Sequence, residues 1–335
     1  MRHINHVDWQ FQAGTRCHRG GRTPRHAREN TPVTIGRRAF SALPFAAVAG
    51  FSFGARAQGA AASVRPVNTP GEGAVNTWLL IGADAVTIVD CQRTVPEAQA
   101  LVAAVRGLGR RVEAIVLTHE HPDHAAGLQA VSGAFPEAPI IATAATAQAL
   151  EASKAEMLPL MARIFGPAAP TDFPAPTRIV ADGARLTLGG RTWRIDEHGP
   201  GEARSMTTLY AEDATLIVAS DLVGNRVTPY LLEGRTGQWL AQLERARGRY
   251  PARTVALPGH GTPAAIGLLA AEQAEYLGAF RGLVGDRLRE GAWTEAARAR
   301  VVAEAEAAWP GWPVVVPIPT LIAQNADAVA RELAR

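Results

Sequence analysis

Lysine is almost missing from these 335 residues: Lys154 is the only one, and the remaining 33 basic side chains are arginines. A lysine contact to an anionic substrate is therefore confined to the region of Lys154, far in sequence from the histidine motifs described below. Cysteine is nearly as scarce. Of the two, Cys17 falls in an N-terminal segment with the marks of a removable leader. Cys91 then stands alone, which excludes an internal disulfide, and it reads as a small buried residue rather than a reactive thiol. No short-period repeat and no heptad run occurs, so solenoids and coiled coils are excluded. Beyond the leader there is no second stretch of transmembrane length. The formal charge of +3 is local as well. Nine of the 34 basic residues and two of the 31 acidic ones lie before Gln58, which leaves 25 against 29, a net of −4. Without a basic stripe, the remaining chain is a poor nucleic-acid binder, and no nucleic-acid partner is expected.

The leader itself has ordered parts. Arginines at 16, 19, 22, 25 and 28 precede the pair Arg37-Arg38, the apolar segment from Ala39 to Gly54, and the small-residue site Ala55-Arg56-Ala57. This order resembles a twin-arginine export signal over residues 1–57. It implies the twin-arginine export machinery as a partner, cleavage near Ala57, a periplasmic protein, and no stable membrane anchor after cleavage. The alternative, a buried N-terminal helix, does not account for that order.

Residues 58–73 are expected to be a linker and 74–335 a catalytic domain with a C-terminal helical region. "NTWLLIG" and "AVTIVD" are β-prone runs joined by a Gly-Ala-Asp turn, which predicts a hairpin. "VPEAQALVAAVRGLG" predicts a helix with Pro96 near its start and Gly109 past its end. "RVEAIVLT" predicts a strand that stops at "THEHPDH", with Pro122 opening the next helix. After "APIIAT" and an alanine-rich helix to about Phe165, the prolines 167, 170, 174 and 176 lead to a second group of strands: "TRIV", "RLTLG", "TWRIDEHG", "MTTLYAE" and "ATLIVASD". "TGQWLAQLERARGRY" is an amphipathic helix, "TVALPGHG" a strand, and 264–308 mostly helical. Two β-rich halves with helices outside predict an α/β fold, a four-layer α/β/β/α sandwich.

Five histidines remain after the leader: 119, 121, 124, 198 and 260. Three fall within Thr118–His124 and a fourth lies in "PGHG" at a strand end, whereas unrelated core histidines would be scattered. Imidazole and carboxylate are the donors that zinc, iron and manganese accept. The spacing is not His-Glu-x-x-His, because the residue four after His119 is Asp123, so a helix-borne zinc-protease site is excluded.

On these residues the chain resembles the metallo-β-lactamase superfamily across about 74–280. The family signature H-x-H-x-D-H is matched by His119, His121, Asp123 and His124, a later acidic position by Asp221 in "IVASD", and a final histidine by His260 in "LPGHG". One position departs: where the family usually has a histidine after a glycine-rich turn, "EHGPGEARS" offers Glu202, with His198 as the competitor. The resemblance implies two divalent ions, zinc foremost, with manganese or iron as alternatives. His119, His121 and Glu202 would hold the first, and Asp123, His124 and His260 the second. Asp221 would bridge them, a hydroxide between the ions would be the nucleophile, and Asp123 would assist proton transfer. With these histidines committed, no Ser-His-Asp triad is needed.

The superfamily's substrates range from β-lactams and lactones to thioesters, sulfates and nucleic acids, so fold does not name the substrate. The expectation is an exported hydrolase of a small-molecule substrate with an ester, lactone, amide or sulfate-type bond. Rivals are a β-lactamase, an iron-dependent redox enzyme, and a non-catalytic periplasmic metal-binding or maturation factor. "SDLVGNRVTPYLLEG" is expected near the metals, making Asn225, Tyr230 and Leu231 pocket candidates. Arg204 is a candidate contact for a substrate anion or an ion-pair partner, and Glu120 and Glu197 are expected to be solvated.

Overall fold

The computed structural model describes residues 62–68, 71 and 73–335; the leader expected over 1–57 lies outside them. Two six-stranded sheets form the centre. The first contains β1 (Ser63–Val67), β2 (Thr77–Ile81), β3 (Ala85–Val89), β4 (Arg111–Val116), β5 (Ile140–Thr143) and β6 (Arg178–Val180), in sequence order across the sheet. The second contains β7 (Arg185–Leu188), β8 (Arg191–Glu197), β9 (Thr207–Ala211), β10 (Leu216–Ser220), β11 (Val255–Pro258) and β12 (Ala264–Ala265), again in order. Helices α1 (Val95–Arg106), α2 (Pro122–Ala125), α3 (Leu128–Ala134) and α4 (Ala144–Phe165) belong to the first half; α5 (Thr236–Arg249), α6 (Ile266–Glu290), α7 (Glu295–Ala308) and α8 (Leu321–Leu333) belong to the second.

The layering follows from strand periodicity. All five residues of β2 are buried, because alternate side chains serve different cores. Trp78 and Leu80 join Ile141, Trp193, Leu209 and Val218 between the sheets. Leu79 and Ile81 face the other way, joining Leu101, Val105, Leu128 and Phe173 in the first helical layer. The second helical layer packs Trp239, Leu243, Leu277, Phe280 and Val329 against Ile217 and Ala219. The order is therefore α/β/β/α, as expected. The β2–β3 hairpin is antiparallel, and α1 starts with a capping box between Thr94 and Glu97.

Two boundaries differ from the sequence expectation. "TRIV" does not open the second group of strands: Arg178–Val180 pair in parallel with β5 and complete the first sheet. The run is too short to carry a pattern of its own, so its partner is decided by the preceding chain returning to that edge. The stretch 58–73, expected as a linker, contributes β1, which pairs antiparallel with β2. Only Val64 and Val67 of its five residues are even partly covered, as an edge strand requires, and apolar patterning is correspondingly weak.

Candidate metal centre

The expected ligands converge where strand ends of both sheets meet. Leu117 and Thr118 follow β4 and lead to His119 and His121; Pro122 is the first residue of α2, which places Asp123 and His124 in a single helical turn. Asp221 follows β10, His260 follows β11 by one glycine, and Glu202 lies in the β8–β9 connection. Gly259 is required by this closeness, since a Cβ there would stand 1.8 Å from Asp221 Oδ1 and 2.9 Å from His124 Cε1.

Two donor groups result. Asp123, His124, Asp221 and His260 form one, and His119, His121 and Glu202 the other. Asp221 Oδ2 lies 3.3 Å from His124 Nε2, 3.3 Å from His260 Nε2 and 3.9 Å from His119 Nε2, so it stands between the groups. Asp123 Oδ2 is 3.1 Å from His260 Nε2 and 3.7 Å from His124 Nε2. Glu202 is 3.0 Å from His121 Nδ1 and 3.8 Å from His119 Nε2. Tetrahedral ligands on metal bonds of about 2.0–2.1 Å stand roughly 3.3 Å apart, so these spacings fit divalent ions. The inward atoms His119 Nε2, His124 Nε2 and Glu202 Oε2 are buried and have no hydrogen-bond partner. Buried polar atoms are normally satisfied, and cations would satisfy all three.

One carboxylate behind the site sets the ring tautomers. Asp90 accepts from the Thr118 backbone N–H at 3.0 Å, from Thr118 Oγ1 at 2.8 Å and from His124 Nδ1 at 2.8 Å. Because the Thr118 hydroxyl proton is committed to Asp90, its oxygen accepts from His119 Nδ1 at 2.9 Å. His260 Nδ1 donates to the Ala74 carbonyl at 2.8 Å. Each outer nitrogen thus keeps its proton, leaving Nε2 as the inward lone pair. Asp90 also groups with His119 and His124 as a possible ligand set, but it faces their Nδ1 side and its lone pairs are occupied, so it orients rather than ligates. The sequence reading ended a strand at this residue and assigned it no role. Asp90 and Ser220 both adopt positive φ, +65° and +44°, placing backbone strain beside the site.

Electrostatics follow burial and crowding. Burial, followed by neighbouring His124, lowers the His119 pKa well below its ordinary value. Burial opposes charge on Asp221, yet His124 and His260 hold it well below the usual carboxylate range. Burial pushes Glu202 up to about 7, with His121 pulling the other way.

His198, the rival for the third position, is bound elsewhere: its Nε2 meets Thr208 Oγ1 at 3.0 Å and the Tyr250 hydroxyl at 3.3 Å. Tyr230 lies edge-on to His121, with centroids 5.2 Å apart. With Val227, Pro229 and Val315 it lines a small cavity that also touches Glu202, Asp221 and His260. The other pocket candidates turn away. Leu231 is a core residue, and the Asn225 amide is used on the Thr262 carbonyl at 2.7 Å. Arg204 is exposed, and its backbone N–H donates to Glu120 at 2.8 Å. Glu120 is therefore buried rather than solvated; Glu197 is half-buried. Glu233, whose "LEG" context carries no motif, stands 3.8 Å from His121 Nε2 and pairs with Arg235 at 2.9 Å. Lys154 pairs with Glu151 at 2.8 Å and Asp172 at 3.5 Å.

The profile of the metallo-beta-lactamase superfamily matches residues 70–260, more than half of the chain. The chain belongs to that superfamily. A hydroxyacylglutathione hydrolase from Stenotrophomonas maltophilia is 29% identical over 184 residues, 55% of this chain and 59% of its own length. The match thus spans about three fifths of that relative. Among solved structures, a beta-lactamase domain protein from Burkholderia ambifaria has a TM-score of 0.63 at 19% identity, covering 85% of this chain and 88% of its own. A metallo-beta-lactamase family protein from Thermus thermophilus has a TM-score of 0.61 at 22% identity, with 82% and 93% covered. At those identities the two structures speak for the fold.

Proposed function

We propose that this protein is an exported binuclear metallo-hydrolase that cleaves a small carboxylic ester, thioester or lactone. The position of Asp221 between two donor groups whose inward atoms lack partners carries this reading. We assign His119, His121 and Glu202 to one ion, Asp123, His124 and His260 to the other, and Asp221 to both, with zinc as the metal because affinity at such donors favours it over iron and manganese. When bound, the ions supply Lewis acidity at the scissile carbonyl and bring the pKa of a water toward neutrality. Asp123, whose Oδ2 stands 3.1 Å from His260 Nε2, is positioned to take and return the proton of the attacking water. Asp90 keeps His119 and His124 in their ligating tautomers. Val227, Pro229, Tyr230 and Val315 form an apolar wall that limits water at the reacting bond.

The Stenotrophomonas relative is named for a thioester-type substrate, which supports that member of the class. Lys154, engaged with Glu151 and Asp172, gives no support to the β-lactamase alternative. The test is elemental analysis together with a panel of aryl esters, acyl thioesters, lactones, nitrocefin, and sulfate and phosphate esters. Two ions per chain and best turnover on a carboxylic ester, thioester or lactone are expected, with activity lost on chelation and restored by zinc. Glu202→Ala should lose about one ion while His198→Ala keeps both. Chelator-resistant turnover, or nitrocefin as the best substrate, would overturn the assignment.

A further inference from the structure

Gln242 is a polar residue on the apolar face of α5, fully buried beside Trp239, Leu243 and Ala246. Burying a primary amide is costly unless its groups are bonded. Its Nε2 shares its two protons among three successive backbone carbonyls, His198 at 3.1 Å, Gly199 at 2.7 Å and Pro200 at 2.7 Å, while its Oε1 has no hydrogen-bond partner. The next residue, Gly201, packs on the same amide so closely that a Cβ there would stand 2.3 Å from Gln242 Oε1. Gly201 N–H then donates to the Ala203 carbonyl at 2.9 Å, closing the turn that carries Glu202. At one end of this segment, His198 is tied to Thr208 and Tyr250; at the other, Glu202 reaches His121.

We propose that Gln242 is the positioning residue for Glu202: its amide fixes the backbone of residues 198–201, and thereby places the carboxylate that stands where the family has a histidine. The inference rests on the assignment of Glu202 as a ligand of the first ion. It also predicts selectivity. Asp123, His124 and His260 are carried by α2 and by the turn after β11, neither of which Gln242 bonds, so the second ion should not depend on it.

Gln242→Met preserves the side chain's length and removes the donors; Gln242→Glu places an acceptor against three carbonyls. Both are titrated with zinc against a chromophoric chelator, in the wild-type and Glu202→Ala backgrounds, below the thermal transition and with circular dichroism checking the fold. Loss of an outer partner of a metal ligand weakens binding by roughly 10–100-fold, and that loss is expected for one ion only. In the Glu202→Ala background the same substitutions should leave the affinity for the remaining ion unchanged. Should these variants fail to fold, Gly201→Ala displaces the amide from the loop side and should give the same selective loss. Equal weakening of both ions, or the same loss without Glu202, would mean a general structural role and overturn the proposal. So would unchanged affinity. If Glu202→Ala itself retains both ions, the ligand assignment fails first, a result distinct from a silent Gln242 substitution.

Discussion

His198 and Glu202 stand four positions apart in the chain, yet the two serve different parts of the molecule. His198 closes β8, its N–H donating to the Met206 carbonyl across the turn, and its ring is trapped beneath α5 against Thr208 and Tyr250. Burial, assisted by Arg249 and Arg245 and opposed by Asp196, lowers its pKa to about 4. The ordinary histidine value is about 6.5, so the folded state favours the neutral ring. The associated stability is complete above pH 6.5 and is lost as pH falls toward 4, amounting to about 3 kcal/mol at most. Urea unfolding of metal-stripped protein at pH 7.5 and 4.5 should show this: His198→Gln should lose about 2 kcal/mol less than the wild type between the two pH values. Equal losses in both proteins would refute the mechanism.

Helix α5 matters because it carries Gln242, and its N-terminus is completed from a distant element. Its N-cap, Arg235, makes no side-chain capping bond. Glu332 of α8 takes that role, accepting from Thr236 N–H at 3.0 Å, Thr236 Oγ1 at 2.7 Å and Gly237 N–H at 2.9 Å, while Arg281 holds it at 2.7 Å. A carboxylate there satisfies free N–H groups and opposes the positive end of the helix dipole. Glu332→Ala should therefore cost about 1–2 kcal/mol in chemical denaturation. A change below about 0.5 kcal/mol would show that water replaces the cap at little cost.

At the scale of the whole molecule, the C-terminal segment between α7 and α8 returns to the site. Val314 pairs with Thr228 in a parallel bridge, and Val315 reaches the cavity beside Asp221. Asn325 of α8 holds the Pro229–Leu231 loop from behind, accepting from Leu231 N–H at 2.9 Å and donating to the Pro229 carbonyl at 2.8 Å. A site assembled from segments this far apart suits export after folding, the route proposed from Arg37 and Arg38, because metal can be loaded before translocation. Replacing both arginines with lysine keeps the charge but removes guanidinium recognition, so precursor should accumulate in the cytoplasm. Fractionation that finds normally processed periplasmic protein would rule this route out.

What the sequence determined by itself is what local chemistry can encode. His119, His121, Asp123 and His124 lie within six residues on a strand end and a Pro-led turn, so their convergence needs little from the rest of the chain. The β2–β3 hairpin and the start of α1 beside Pro96 were equally legible, because each depends on neighbours a few residues apart. The tertiary structure decided whatever depends on a distant partner. β6 joined the first sheet because β5 offered an edge. The turn packed under α5 set Glu202 beside His119 and His121 and left His198 against Thr208 and Tyr250, and the buried Gln242 of α5 looked like one more polar residue on an amphipathic helix. Asp90 acquired its role only when Thr118 and His124 were folded against it from 28 and 34 residues away. Hydrogen bonds at such separations leave no periodicity in the chain, since register and packing, rather than spacing, bring their partners together.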